Sequence, residues 1–220
     1  LLFVCCTSAY DPRGQNIAKA MVKVLTAAGV SFGIIGEDEN CCGESVRKIG
    51  DEELFMNIAQ KNIKMYQDKG VKKIITTSPH CYYTYTQEYP EFGGEFEVVH
   101  YTQLLAELIE KGTVKLSKTL DKKVTYHDPC YLGRHSELYD EPRALINAAT
   151  GGNLVEMERS RNKSLCCGAG GGRLWMETPP EWRFSDLRIH EAIETGATIL
   201  ATACPYCISM LEDSRKTVNK

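Results

Sequence analysis

Ser164-Leu165-Cys166-Cys167-Gly168-Ala169-Gly170-Gly171-Gly172-Arg173 is the stretch from which the rest of the chain is read. Two adjacent cysteines are followed by four glycines in five positions. An earlier copy, Cys41-Cys42-Gly43, lies at an offset of 125 residues. At the same offset Cys5 aligns with Cys130, and Ser78-Pro79-His80-Cys81 aligns with Cys204-Pro205-Tyr206-Cys207 at 126. The second half therefore reads Cys, 35 residues, Cys-Cys, 36 residues, Cys-x-x-Cys. Ten cysteines divide five and five between the halves. Repetition of this kind marks a duplicated supersecondary unit. Glycine after the paired cysteines lets the backbone close around something bulky, because it tolerates positive φ and carries no Cβ.

The remaining composition is that of an ordinary globular protein, 43% hydrophobic and 25% charged over 220 residues. A net charge of -3 gives no reason to expect nucleic acid as a partner. The basic stretch around Lys115, Lys118, Lys122 and Lys123 reads as a solvated linker. No run approaches the ~20 apolar residues of a membrane span, and no signal peptide is visible. The chain is thus expected to be cytoplasmic, or membrane-associated through a partner or a missing segment. It starts at Leu1 inside what reads as a strand, as a fragment of a longer polypeptide would. A chain of this length buries a core without disulfides, so its thiols are expected reduced or ligating.

Hydrophobic patterning alternates strand and helix. Strands are expected over 1–4, 30–35, 71–77, 96–100, 123–127, 153–157 and 197–203. Helices follow, including one capped by Asp51 with Leu54, Phe55, Ile58, Ala59, Ile63 and Tyr66 on its apolar stripe. Asp11, Pro12 and Gly14 read as a turn. Tyr82, Tyr85 and Tyr89 share a helical face as packing residues. This is an α/β pattern with parallel sheets flanked by helices, in two pseudo-symmetric domains, 1–115 and 116–220. The cysteines sit at strand C-termini, where open α/β folds place their sites.

The second half offers five thiols: Cys130, Cys166, Cys167, Cys204 and Cys207. Structural zinc takes four ligands and would leave one unused. A multi-iron cluster uses thiolates on several irons, so iron–sulfur is the expected cofactor. The first half offers Cys41, Cys42 and Cys81 with either Cys5 or Cys6. Ser78 stands where the second half has Cys204, and serine is a poor soft-metal ligand. Four thiols suit a [4Fe-4S] cubane or a zinc ion. Gly43, Gly168 and Gly170 are expected to turn backbone amides toward sulfur rather than to cradle a nucleotide. Arg134 and Arg173 read as charge-offsetting or plain surface residues, and His100 and His127 as structural histidines near the motifs.

On these motifs the chain resembles the cysteine-rich CCG-domain proteins. They include heterodisulfide reductase catalytic subunits, the iron–sulfur subunits of glycolate and lactate oxidases, and electron-transfer-flavoprotein:menaquinone oxidoreductases. The stretches from Asp128 to His135, Leu154 to Met157 and Cys166 to Trp175 are most similar to the flavoprotein-linked group, as are Asp11-Pro12-Arg13 and Tyr89-Pro90. The resemblance favours Cys6 over Cys5 as ligand. It implies two tandem CCG domains and an iron–sulfur electron-transfer role within a larger oxidoreductase. Electrons would pass between a flavoprotein and a quinone or ferredoxin pathway. The partners it implies are a flavoprotein, a ferredoxin-like domain and a membrane quinone-reactive part. A non-cubane cluster at the second site, a heterodisulfide-like reductase and a zinc-binding structural module are the alternatives.

Overall fold

A computed structural model describes residues 1–218. The chain forms two compact units, the first over Leu1–Leu104 and the second from Leu105.

The first unit opens with β1 (Leu2–Phe3), α1 (Cys6–Tyr10) and α2 (Pro12–Ala27). The expected turn at Asp11 is instead the start of α2. The Asp11 side chain caps the helix by accepting from Arg13 N at 2.9 Å, and Pro12 fits the first helical position, where no amide is needed. Gly14 stays inside α2 because a Cβ there would sit 2.4 Å from the Thr7 carbonyl oxygen of α1. Next come α3 (Glu44–Lys48), α4 (Glu52–Asp68), β2 (Lys73–Thr76), α5 (Pro79–Tyr83) and β3 (Glu97–His100), and α6 (Tyr101–Glu110) runs across the boundary into the second unit. A π-helical turn, Thr84–Glu88, extends α5. All three strands are parallel in the order β1-β2-β3, with Phe3 opposite Thr76 and Thr76 opposite His100.

No strand forms over 30–35. Gly29, Gly33 and Gly36 punctuate this stretch, and glycine weakens a strand. One backbone bond survives, from Leu2 N to Gly33 O at 2.8 Å. Asp51 does cap α4, accepting from Leu54 N at 3.0 Å. Phe55, Ala59, Ile63 and Tyr66 of the expected stripe are buried, whereas Leu54 faces solvent. Tyr85 and Tyr89 complete this core, with ring centroids 4.7 Å apart and Phe3 5.1 Å from Tyr85. Tyr82 is only half-buried.

The second unit holds β4 (Val124–His127), α7 (Asp140–Thr150), β5 (Leu154–Val155), α8 (Phe184–Glu194), β6 (Ile199–Thr202) and α9 (Pro205–Val218). Its sheet is also parallel, in the order β5-β4-β6. Strand β4 lies in the middle and is buried along its whole length, as parallel strands covered on both faces are. Six of the cysteines leave from strand ends: Cys5 and Cys6 beyond β1, Cys81 in the first turn after β2, Cys130 beyond β4, and Cys204 and Cys207 after β6, whereas Cys41 and Cys42 follow no strand and Cys166 and Cys167 lie in the long loop after β5.

Candidate metal centres

In the first unit five sulfurs converge. Cys42 and Cys81 lie 3.4 Å apart, Sγ to Sγ. Cys6 lies beside Cys41 and Cys5, and Cys5 lies beside Cys81. Cys5, Cys42 and Cys81 are buried, Cys6 is half-buried and Cys41 is exposed. The second unit repeats the arrangement. Cys167 and Cys207 lie 3.2 Å apart, Cys130 lies beside Cys166, and Cys204 beside Cys207. Cys167, Cys204 and Cys207 are buried, while Cys130 and Cys166 are half-buried. The sequence-derived set Cys6, Cys41, Cys42 and Cys81 is brought together, as is Cys130, Cys166, Cys167, Cys204 and Cys207.

The Cys-Cys-Gly turns share one geometry. Gly43 N donates to Cys41 Sγ at 3.4 Å, and Gly168 N to Cys166 Sγ at 3.3 Å. Both glycines need the left-handed region, at φ of 86° and 85°. Neighbouring thiols and these amides hold Cys41 and Cys166 well below the ordinary thiol range: Cys42 and Cys6 act on Cys41, Cys130 and Cys167 on Cys166. Hydrogen bonding to Cys166 pushes the Cys130 thiol up. One thiolate is thus favoured at the same place in each turn. Gly170 enters a turn, its carbonyl accepting from Arg173 N at 3.3 Å.

Different supports hold the two turns. In the first unit, Asn62 Nδ2 donates to Cys41 O at 2.9 Å, and Tyr89 Oη donates to Cys42 O at 3.1 Å. Glu39 accepts from Val4 N at 3.2 Å and from Cys5 N at 3.0 Å. Burial nevertheless pushes its carboxyl up to about 7. Phe55 packs so tightly under the turn that a Cβ on Gly43 would lie 2.9 Å from its ring. Gly168 has nothing nearer than 3.9 Å. Gly43→Ala is therefore expected to cost about 2–4 kcal/mol, combining left-handed strain with overpacking, and Gly168→Ala only about 1–2 kcal/mol. Denaturant melts of the two variants measure the difference.

In the second unit an ion network, buried at Asp128 and Arg143 and open to solvent at Glu156, fixes the entry to Cys130. Arg143 grips Asp128 at 2.7 and 2.9 Å and Glu156 at 2.6 and 2.9 Å. Arg134 donates to Ser164 O at 2.5 Å, so it braces the loop leading to Cys166. Arg173 is exposed. His100 packs at the end of β3, its Nδ1 2.8 Å from Thr102 Oγ1.

His127 is the histidine that reaches sulfur. Fully buried Arg188 donates from Nε to His127 Nδ1 at 3.0 Å. A guanidinium only donates, so Nδ1 carries the lone pair and Nε2 the proton. Nε2 is buried and has no hydrogen-bond partner among the described residues. A ring nitrogen lies within 4.8 Å of the Cys167 and Cys207 sulfurs. This tautomer suits an N–H donor to sulfur rather than a lone-pair ligand. Burial first, then the Arg188 cation, pushes His127 down to about 3. The unfolded chain binds a proton near 6.5 and the folded one does not, so stability is present above that pH and lost as pH falls toward 3. In the metal-free protein, His127→Gln is expected to remove that part of the acid sensitivity, read from unfolding midpoints across pH 7 to 4.

A largely buried, multi-thiol pocket with the His127 ring beside it fits a negatively charged, sulfur-rich group. Comparison with known proteins agrees. The family model of the CCG cysteine-rich domain matches twice, over residues 1–85 and 124–212. The chain is 44% identical to the "Probable iron-sulfur-binding oxidoreductase FadF" of Bacillus subtilis, over 98% of the chain and 31% of that protein. It is 41% identical to the "EtfAB:quinone oxidoreductase" of Syntrophomonas wolfei, with the same coverage of each. It is 36% identical to a component of the dihydromethanophenazine:CoB--CoM heterodisulfide reductase of Methanosarcina barkeri, over 97% of the chain and 53% of that component. The chain thus spans about a third to a half of these relatives. With two family matches that coincide with its two cysteine clusters, the chain belongs to the CCG cysteine-rich domain family.

Proposed function

We propose that this chain is an iron–sulfur electron-transfer part of a larger oxidoreductase, relaying electrons between a flavoprotein and a quinone pathway. One observation carries the reading: five thiols converge in the second unit, one more than a tetrahedral zinc ion takes. Cys130, Cys166, Cys167, Cys204 and Cys207 would hold a multi-iron cluster there, of a cubane or non-cubane type. Cys6, Cys41, Cys42 and Cys81 would hold the other. Such clusters, when bound, accept and release single electrons.

The chain's own residues set how easily this happens. The Gly43 and Gly168 amides donate to cysteine sulfur, and the His127 ring lies beside the Cys167 and Cys207 sulfurs. Donors of this kind favour the more negative, reduced state. Cys167, Cys204 and Cys207 exclude water on the inner side. Cys130 and Cys166, like Cys41 in the first unit, face outward and mark the edges nearest a docked redox partner. Among the described residues no helix is long and apolar enough to cross a membrane. Contact with a membrane quinone site would therefore run through a partner or a further segment.

Anaerobic mixing tests the relay. Reduced electron-transfer flavoprotein should bleach the visible absorbance of the oxidised, loaded chain, and a menaquinone analogue should restore it. A chain reduced by dithionite but not by the flavoprotein would remove the flavoprotein from the relay.

A further inference from the structure

The two cysteine sets run through the same order of neighbours, although in sequence Ser78 stands against Cys204, and in the first unit Cys5 also lies beside Cys6. In the second unit the sulfurs run Cys130, Cys166, Cys167, Cys207, Cys204, each beside the next. In the first unit the same walk reads Cys6, Cys41, Cys42, Cys81, Cys5. Cys6 stands to Cys41 as Cys130 stands to Cys166. Cys5 stands to Cys81 as Cys204 stands to Cys207. The position aligned with Cys204 in sequence is Ser78.

Backbone conformation supplies a second observation. Cys5 has φ 73° and ψ 145°. That region is essentially reserved for glycine, and a side-chain-bearing residue holds it only where the surroundings compel it. Elsewhere only Glu137 and Arg161 among the described non-glycine residues have positive φ. The strain is secured by Glu39, whose two carboxylate oxygens take the Val4 and Cys5 amides. The result is a Cys5 side chain 2% exposed, its sulfur 3.1 Å from Thr7 Oγ1 and beside Cys81. An inert packing residue gains nothing from such a backbone.

We propose that Cys5 supplies the fifth sulfur of the first metal centre, replacing from the β1 end the thiol absent at Ser78. The first centre is then a five-thiolate site like the second, with both members of the Cys5-Cys6 pair as ligands. The proposal rests on the iron–sulfur reading above.

The whole chain is purified anaerobically as wild type, Cys5→Ala, Cys5→Ser, Ser78→Cys and Cys5→Ala/Ser78→Cys, then assayed for iron, acid-labile sulfide and EPR. Cys5→Ala should lose or transform the first-centre signal and its share of iron, leaving the second centre unchanged. The double variant should recover both, because the sulfur returns by the route the second unit uses. Cys5→Ser should keep the chain folded with a shifted first-centre spectrum. A wild type with neither iron nor sulfide would defeat the iron–sulfur reading itself. A loaded wild type whose spectrum ignores Cys5→Ala and Cys5→Ser would overturn the proposal alone. Loss in Cys5→Ala without recovery in the double variant would also overturn it, by assigning Cys5 a packing role.

Discussion

Cys167→Ala is expected to empty the second centre and unfold much of the second unit. Cys167 is 4% exposed, sits 3.2 Å from Cys207 and belongs to a core cluster with Ala169, Ile189, Cys204, Tyr206 and Leu211. Apolar packing around the site is therefore built partly from the ligands. Metal-binding free energy in such a unit is also folding free energy. Losing an outer partner of a metal site costs about 10–100-fold in affinity, and losing a ligand should cost more. Iron content per chain and a thermal melt check this. Wild-type iron in Cys167→Ala would remove the residue from the ligand set.

Arg143→Met is expected to destabilise the second unit by about 3–5 kcal/mol, the usual cost of stripping one partner from a buried ion pair. Asp128 and Arg143 are 3% and 6% exposed, so solvent cannot replace the lost cation. Arg161 N still donates to Asp128 Oδ2 at 2.8 Å and offsets part of the penalty. Asp128→Asn/Arg143→Met removes both charges and should recover much of the loss. Denaturant titrations of wild type, single and double variants separate these outcomes. A single variant within about 1 kcal/mol of wild type, the range of exposed pairs, would show that the network carries no stability. Because Asp128 is two residues before Cys130, the same variants should loosen metal retention at the second centre.

How much of this was legible follows from how local each signal is. Repeated cysteine spacing and the strand–helix alternation sufficed for two parallel α/β units with most thiols at strand ends. Asp51 and Gly70 bracketed α4 because caps are written in one or two residues. Asp11-Pro12 misled, since the same residues open turns and helices alike. Residues 30–35 carried strand-forming side chains on a backbone interrupted by glycine, and the glycines prevailed. Polar supports were hidden because their partners lie far apart in sequence: Arg188 meets His127 across 61 residues. A signal existed even so. Ser185, Arg188, Ile189 and Ala192 share the buried face of α8, and Asn62 interrupts the apolar stripe of α4. A charged or amide residue on a core-facing stripe requires a partner, and both have one. Cys5 was legible only as an alternative to Cys6, because its strained backbone and its burial appear only once the chain is folded.

Quantifying iron and acid-labile sulfide in the anaerobically purified wild-type chain, with EPR before and after dithionite, tests the central claim most directly. Several iron and sulfide equivalents per chain are expected, with a signal that changes on one-electron reduction. A colourless chain carrying zinc and no sulfide would contradict the claim.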